Sequence, residues 1–238
     1  MSQAETGRIA SVFTLKQVAM IFFQMLLFLA LYATVLFGSA GRWDIPAFWI
    51  CWMIWTTFIV VGTVIGFKTD PSLVKERMRP GPGGKDPYLR LFAMVFFTAH
   101  WIVAGLDVGR YQWFGRVPGE VQAVGMVVLA GALSLSAWAM GVNRFFSSEA
   151  RIQRDRGHYV ITAGPYRFIR HPGYLAAITM SLASPLALGS YVSALPVLPL
   201  IPFFIRRLRI EEGLLFPELE GYAEYAQRVR YRLLPGIW

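Results

Sequence analysis

The chain is poor in the groups from which soluble active sites are usually built. Its 238 residues hold one cysteine, three histidines and 14 acidic residues, and charged side chains of both signs make up only 16%. The lone cysteine, Cys51, excludes a disulfide within the chain and any cysteine-based metal cluster. So little charge, beside 55% hydrophobic residues and a mean hydropathy of +0.47, excludes an ordinary water-soluble globule. Several motifs are missing as well: a G-x-G-x-x-G after a strand, a P-loop, an H-E-x-x-H zinc helix and a G-x-S-x-G nucleophile turn. A small molecule bound here is therefore not held by a Rossmann or P-loop framework, and no metal site is expected. There is neither an internal repeat nor a low-complexity tract.

What the chain has instead is long apolar runs. Val18 to Phe37 carries only Gln24 as a strongly polar residue, and Ala47 to Phe67 and Val121 to Val142 carry no charge. Each run is about 20 residues, enough as a helix to cross roughly 30 Å of hydrocarbon. Tyr88 to Leu106 is a weaker span, with Arg90 at its start and His100 inside, where the histidine reads as a hydrogen-bonded packing residue. The last run, Tyr174 to Ile205, is too long for one crossing. Pro185, Gly189 and Ser190 break it, which predicts two short helices in a hairpin. Pro196, Pro199 and Pro202 predict an irregular second arm. The first run is longer than the apolar core of a signal peptide and is expected to stay in the mature protein. Gly62 and Gly66 form a GxxxG pair, a mark of close helix packing.

The fold class predicted is all-α: a polytopic integral membrane bundle of about six spans, including the carboxy-terminal hairpin. Its orientation follows from the basic residues. Of the 23, only Arg42, Arg110 and Arg116 fall in loops on one side. The others lie in the amino-terminal segment, in the loops after the second and fourth spans, and in the tail. The positive-inside rule then puts both termini in the cytoplasm. The net charge of +9 is explained by orientation and anionic lipid, and no nucleic-acid partner is needed. We expect an amino-terminal pair of spans with its loop over residues 1–87 and a core over 88–238. The turn-rich Arg79 to Pro87 divides them.

Two polar clusters flank the hairpin. Before it lies His158 to Tyr174, HYVITAGPYRFIRHPGY, where Gly164-Pro165 and His171-Pro172-Gly173 predict a shaped loop. Arg170 and His171 sit side by side in it, with Tyr159, Tyr166, Phe168 and Tyr174 nearby. Such a loop suits an anionic, partly aromatic ligand or a sulfonium, and equally a basic interfacial loop with aromatic anchors. After the hairpin come Arg206, Arg207, Arg209, Glu211 and Glu212. The tail then shows helical periodicity over Leu214 to Val229, with Leu215, Leu219, Tyr222, Ala226 and Val229 on one face. That helix is expected either to lie on the bilayer or to fold back over a cytoplasmic pocket.

The stretch from Val160 to Tyr174, V-x-T-x-G-x-Y-x-x-x-R-H-P-x-Y, resembles the isoprenylcysteine carboxyl methyltransferase family. The second motif agrees in order: Glu211-Glu212, Leu214 or Leu215, Phe216, Tyr222, Tyr225, Arg228-Val229 and Leu234-Pro235. The likeness covers about residues 140 to 238. It implies an S-adenosylmethionine site in a cytoplasmic pocket lined by His158, Val160, Ile161, Tyr166, Arg170, His171, Pro172, Gly173 and Glu211. It also implies a substrate-binding arginine at Arg207, with Arg170 as a possible second catalytic cation. Arg151 stands where some relatives have glutamine. The methyl acceptor implied is lipophilic and arrives from the bilayer: a prenylcysteine carboxylate or, in related membrane enzymes, a phospholipid amine. Similarity also extends to membrane sterol reductases. A lipid-binding protein that keeps the fold without catalysis is the remaining alternative.

Overall fold

A computed structural model of the protein describes residues 13–78 and 88–238, and all regular structure among them is helical. Arg8 and the turn-rich loop expected from Arg79 to Pro87 lie outside the described residues.

Helix α1, Leu15–Ala40, opens on a capping box, in which Thr14 and Gln17 satisfy one another's backbone N–H groups. It closes at Gly41, in the left-handed conformation that a side chain would strain. Helix α2, Pro46–Thr69, starts on a proline whose missing N–H costs nothing in the first turn. The short α3, Pro71–Met78, follows at once. Helix α4, Leu89–Leu106, runs into a turn of π-helix, Asp107–Tyr111, and α5 spans Gly119–Val142. Helices α1, α2, α4 and α5 are long and apolar enough to cross a bilayer. Most of their residues face outward: Phe23, Leu27 and Val127 are 64%, 55% and 72% exposed. A surface so apolar requires lipid around it.

Where two helices touch, small residues let the backbones approach. A Cβ on Gly105 would lie 2.5 Å from the Leu36 carbonyl of α1, and one on Gly125 would lie 2.6 Å from the Ala187 nitrogen. The GxxxG glycines meet side chains instead, Gly62 facing Met140 and Gly66 facing Val74.

The predicted hairpin is present, and of the three residues expected to break it Gly189 and Ser190 do so. Helix α6, Pro172–Leu188, carries Pro185 inside its last turn. The chain leaves the helix at Gly189, in the left-handed region, where the N–H groups of Gly189 and Ser190 close back on Leu186 and Pro185. The second arm is irregular as expected, beginning as the single turn α7, Ala194–Val197, and resuming as α8, Leu200–Glu218. Among the described residues four helices are thus candidate spans, and a shorter apolar hairpin, whose first arm α6 has 17 residues, packs against α5.

A buried polar chain pins the hairpin's turn. Ser190 Oγ donates to Asp107 at 2.6 Å, and the Ser193 carbonyl accepts from His100 Nδ1 at 2.7 Å. His100 Nε2 is then the acceptor for Ser184 Oγ at 2.9 Å, so the ring is the satisfied packing residue the sequence predicts.

The tail differs from expectation. In place of one helix over Leu214 to Val229, α8 ends at Glu218, Gly221 turns the chain at φ +79°, and α9 spans Tyr222–Arg228. Leu215, Leu219, Tyr222 and Tyr225 still form one cluster, packed with Ile152, Val160, Ala226 and Val229. The greasy face expected from the periodicity exists, but a bend assembles it.

Candidate functional site

The two motifs meet because α8 does not stop where the apolar arm ends. It continues past Ile205 and carries Arg207, Glu211 and Glu212 out of the hairpin opposite the start of α6. Pro172 is buried at the first position of α6, and the preceding His171 stands outside the helix at φ −128° and ψ 62°. This turns Arg170 and His171 toward α8.

Glu212 is the centre of one cluster. Its carboxylate accepts from Arg170 Nε at 2.8 Å and Arg232 Nε at 2.6 Å, and His171 Nε2 lies 3.2 Å away. Arg170 also donates to the carbonyls of Val229 and Arg230 at 2.9 and 2.7 Å. The backbone joins in, Arg170 N–H donating to Tyr231 and His171 N–H to Arg232. Burial pushes the Glu212 carboxyl up, but hydrogen bonds from His171, Arg232 and Arg170 outweigh it and hold the group at about 2. The cluster fastens the tail across the end of the bundle.

Arg207 is the centre of the other. It is 2% exposed, and it donates through Nε to Tyr174 Oη at 3.1 Å and through NH2 to the Ser148 carbonyl at 2.7 Å. The Tyr174 hydroxyl in turn donates to Glu211 at 2.7 Å. One hydroxyl thus orients a guanidinium and a carboxylate that lie one turn apart on α8.

Between the clusters is a cavity of about 300 Å³. Of the residues singled out from the sequence, His158, Val160, Ile161, Tyr166, Arg170, His171, Gly173, Arg207 and Glu211 line it, whereas Pro172 sits behind the wall. Its remaining surface comes from Arg77 of α3, from α5 and the loop after it, from Tyr174, Ala177 and Phe204 of the hairpin, and from the tail cluster. His158 is tilted against Phe145, with ring centroids 4.4 Å apart. Burial, and then the charges of Arg151 and Arg156, hold its imidazole at about 4, so it is neutral at pH 7. The Gln153 N–H donates to its Nδ1, which leaves the proton on Nε2. The Tyr222 hydroxyl is buried within the wall without a hydrogen-bond partner among the described residues. A native structure rarely leaves such a group unsatisfied, and a ligand would satisfy it.

Residues 123–217, which carry most of these groups, match the family model for isoprenylcysteine carboxyl methyltransferase. The chain is 30% identical over 112 residues to a protein-S-isoprenylcysteine O-methyltransferase of Schizosaccharomyces pombe, a stretch covering 46% of this chain and 47% of the relative. It is 32% identical over 107 residues to protein-S-isoprenylcysteine O-methyltransferase B of Arabidopsis thaliana, covering 44% and 53%. A probable protein-S-isoprenylcysteine O-methyltransferase of Oryza sativa subsp. indica is 33% identical over 123 residues, covering 50% and 61%. The chain spans about half the length of the curated relatives it matches.

Within the matched segment and around it, the structure adds residues that the sequence does not single out for the site. In sequence Tyr174 is only an aromatic of the loop, yet it bridges Arg207 and Glu211. Tyr222 reads as part of the greasy face of a helix and Tyr225 only as a residue of the second motif, and both line the cavity. Asn143 donates to Tyr166 Oη at 2.9 Å from the end of α5. Glu211 and Glu212 look like one acidic pair, but Glu212 faces the tail while Glu211 faces the cavity. Arg170 is likewise committed to Glu212 and the tail carbonyls. Alternation of partners along a helix is not visible in a run of two identical residues.

Proposed function

We propose that the chain is an integral membrane methyltransferase that transfers a methyl group from S-adenosylmethionine to the carboxylate of a prenylcysteine-like lipid. The observation that carries this reading is one cavity walled by both family motifs, in which Tyr174 joins Arg207 to Glu211 beneath a fastened tail. The strong bias of basic residues supports a cytoplasmic position for the site and both termini.

The donor fits the wall. A neutral His158 with a free Nε2–H, the unpartnered Tyr222 hydroxyl and the rings of Phe145 and Tyr159 suit a nucleoside. Glu211 and the tyrosine faces suit an ammonium and a sulfonium. His158, Val160, Ile161, Tyr166, His171, Gly173 and Glu211 would hold it. When bound, S-adenosylmethionine supplies an electrophilic methyl, which a carboxylate with a reference pKa of about 4 attacks without a general base.

The protein's work is then placement and exclusion of water. Arg207, its fork oriented by Tyr174 and Ser148, receives the acceptor carboxylate from the membrane side, where Ala177 and Phe204 offer apolar contact. Arg170 acts as a positioning residue, holding the tail closed through Glu212.

The test is calorimetric titration of the detergent-purified protein with S-adenosylhomocysteine, followed by methyl transfer to S-farnesylcysteine. Saturable binding, weakened by His171→Ala and Glu211→Ala, and a base-labile methyl ester as product support the reading. A folded wild type that binds no S-adenosylhomocysteine overturns it.

A further inference from the structure

The segment that matches the family model does not build the cavity alone. We infer that α3, which lies outside residues 123–217, is a latch on the cavity wall, and that Glu76 is a positioning residue for the methyl donor, acting through Arg151. This rests on the function proposed above.

Glu76 is 6% exposed and accepts a two-pronged contact from Arg151, at 2.9 Å from Nε and 2.8 Å from NH2. Ser147 Oγ donates to the same carboxylate at 3.1 Å. Arg151 is itself 7% exposed, lies in the cavity wall and is completed by Asp155 at 2.8 Å. Two more arginines of the loop after α5 meet Asp70, just before α3, and Ser72 in its first turn. Asp70 lies 3.2 Å from both Arg144 and Arg156, and Ser72 Oγ accepts from Arg156 at 2.7 Å.

The consequence passes along the loop. Arg156 donates to the side chain of Gln153, whose backbone N–H donates to His158 Nδ1. The loop's regular structure is limited to two short turns of 3-10 helix, Arg154–Arg156 and Gly164–Arg167. Its position is therefore set by side-chain contacts, and its buried ion pair is with α3. Removing the Glu76 charge leaves the Arg151 guanidinium buried beside a half-exposed Asp155, which it must follow toward water. The segment from Ser147 to His158 moves with it, and the donor then has to order its own wall.

Calorimetry with S-adenosylhomocysteine on the full-length protein tests this. Glu76→Gln is expected to weaken binding about tenfold, within the usual range of coupling between sites. Glu76→Asp, which keeps the charge, is expected to stay within about threefold of wild type, and the KM for S-farnesylcysteine is expected to stay within about twofold. His158→Ala is expected to add less in the Glu76→Gln background than in wild type, which a general loss of stability would not produce. Equal affinity of wild type and Glu76→Gln overturns the inference and leaves the function standing. Should Glu76→Gln fail to fold, Asp70→Asn carries the test, with about a threefold loss expected and an unchanged affinity again overturning it. Absence of binding by the wild type overturns the proposed function and this inference with it.

Discussion

Replacing Glu212 by glutamine should unfasten the tail, and the loss can be worked from the structure in two ways. Glu212 is 4% exposed and faces Arg170, Arg232 and His171. Holding its carboxyl at about 2, against 4.5 in the unfolded chain, is worth about 3 kcal/mol at neutral pH. Removing one partner from a buried ion pair costs about 3–5 kcal/mol, which agrees. The sign follows from the depressed value: this stability is present above pH 4.5 and is lost as pH falls toward 2. About three-fifths of it is gone by pH 3. Thermal unfolding of wild type and Glu212→Gln in detergent measures both features. At pH 7 the variant should melt on the order of 10 °C lower, and the gap should close progressively below pH 4.5. A gap of less than about 2 °C at pH 7, or one unchanged at pH 3, would refute the assigned role.

Three further outcomes are expected. Arg207→Gln should lower kcat/KM for S-farnesylcysteine roughly a hundredfold, about 3 kcal/mol for a buried charge pair, with S-adenosylhomocysteine affinity in calorimetry within about threefold of wild type; equal losses in both would place Arg207 in the donor site. Tyr222→Phe removes a hydroxyl with no partner among the described residues, so melting should be unchanged or higher while S-adenosylhomocysteine affinity falls about two- to tenfold, the worth of one hydrogen bond. Gly221→Ala places a Cβ with nothing within 4 Å but keeps φ at +79°, so its cost is conformational, about 1–2 kcal/mol; a melting temperature equal to wild type would mean that the bend before α9 is not held.

The apolar runs are legible because their signal is local. Val18 to Phe37, Ala47 to Phe67 and Val121 to Val142 each fall within one helix, extended by a few residues at one or both ends. Composition decides this, since a lipid-exposed backbone must satisfy its own hydrogen bonds. Where composition is ambiguous, the expectation and the structure part. Pro185 reads as a breaker, but near a helix's end it is tolerated, and Gly189 does the breaking. The tail's periodicity runs unbroken through Gly221, and a pattern of faces cannot register a bend that keeps the same face buried.

The family likeness, the two motifs and the spacing of Arg207 and Glu211 were fixed by the chain's order of residues alone. So was the gathering of basic residues between the apolar runs, because each depends on residue type and neighbours within a turn or two. Contacts across 20 to 80 residues were not. The pairing of Glu76 with Arg151, the division of Glu211 and Glu212 between cavity and tail, and the Tyr174 bridge exist only once the helices pack. Their energies depend on burial and on distances near 3 Å, and packing alone sets both.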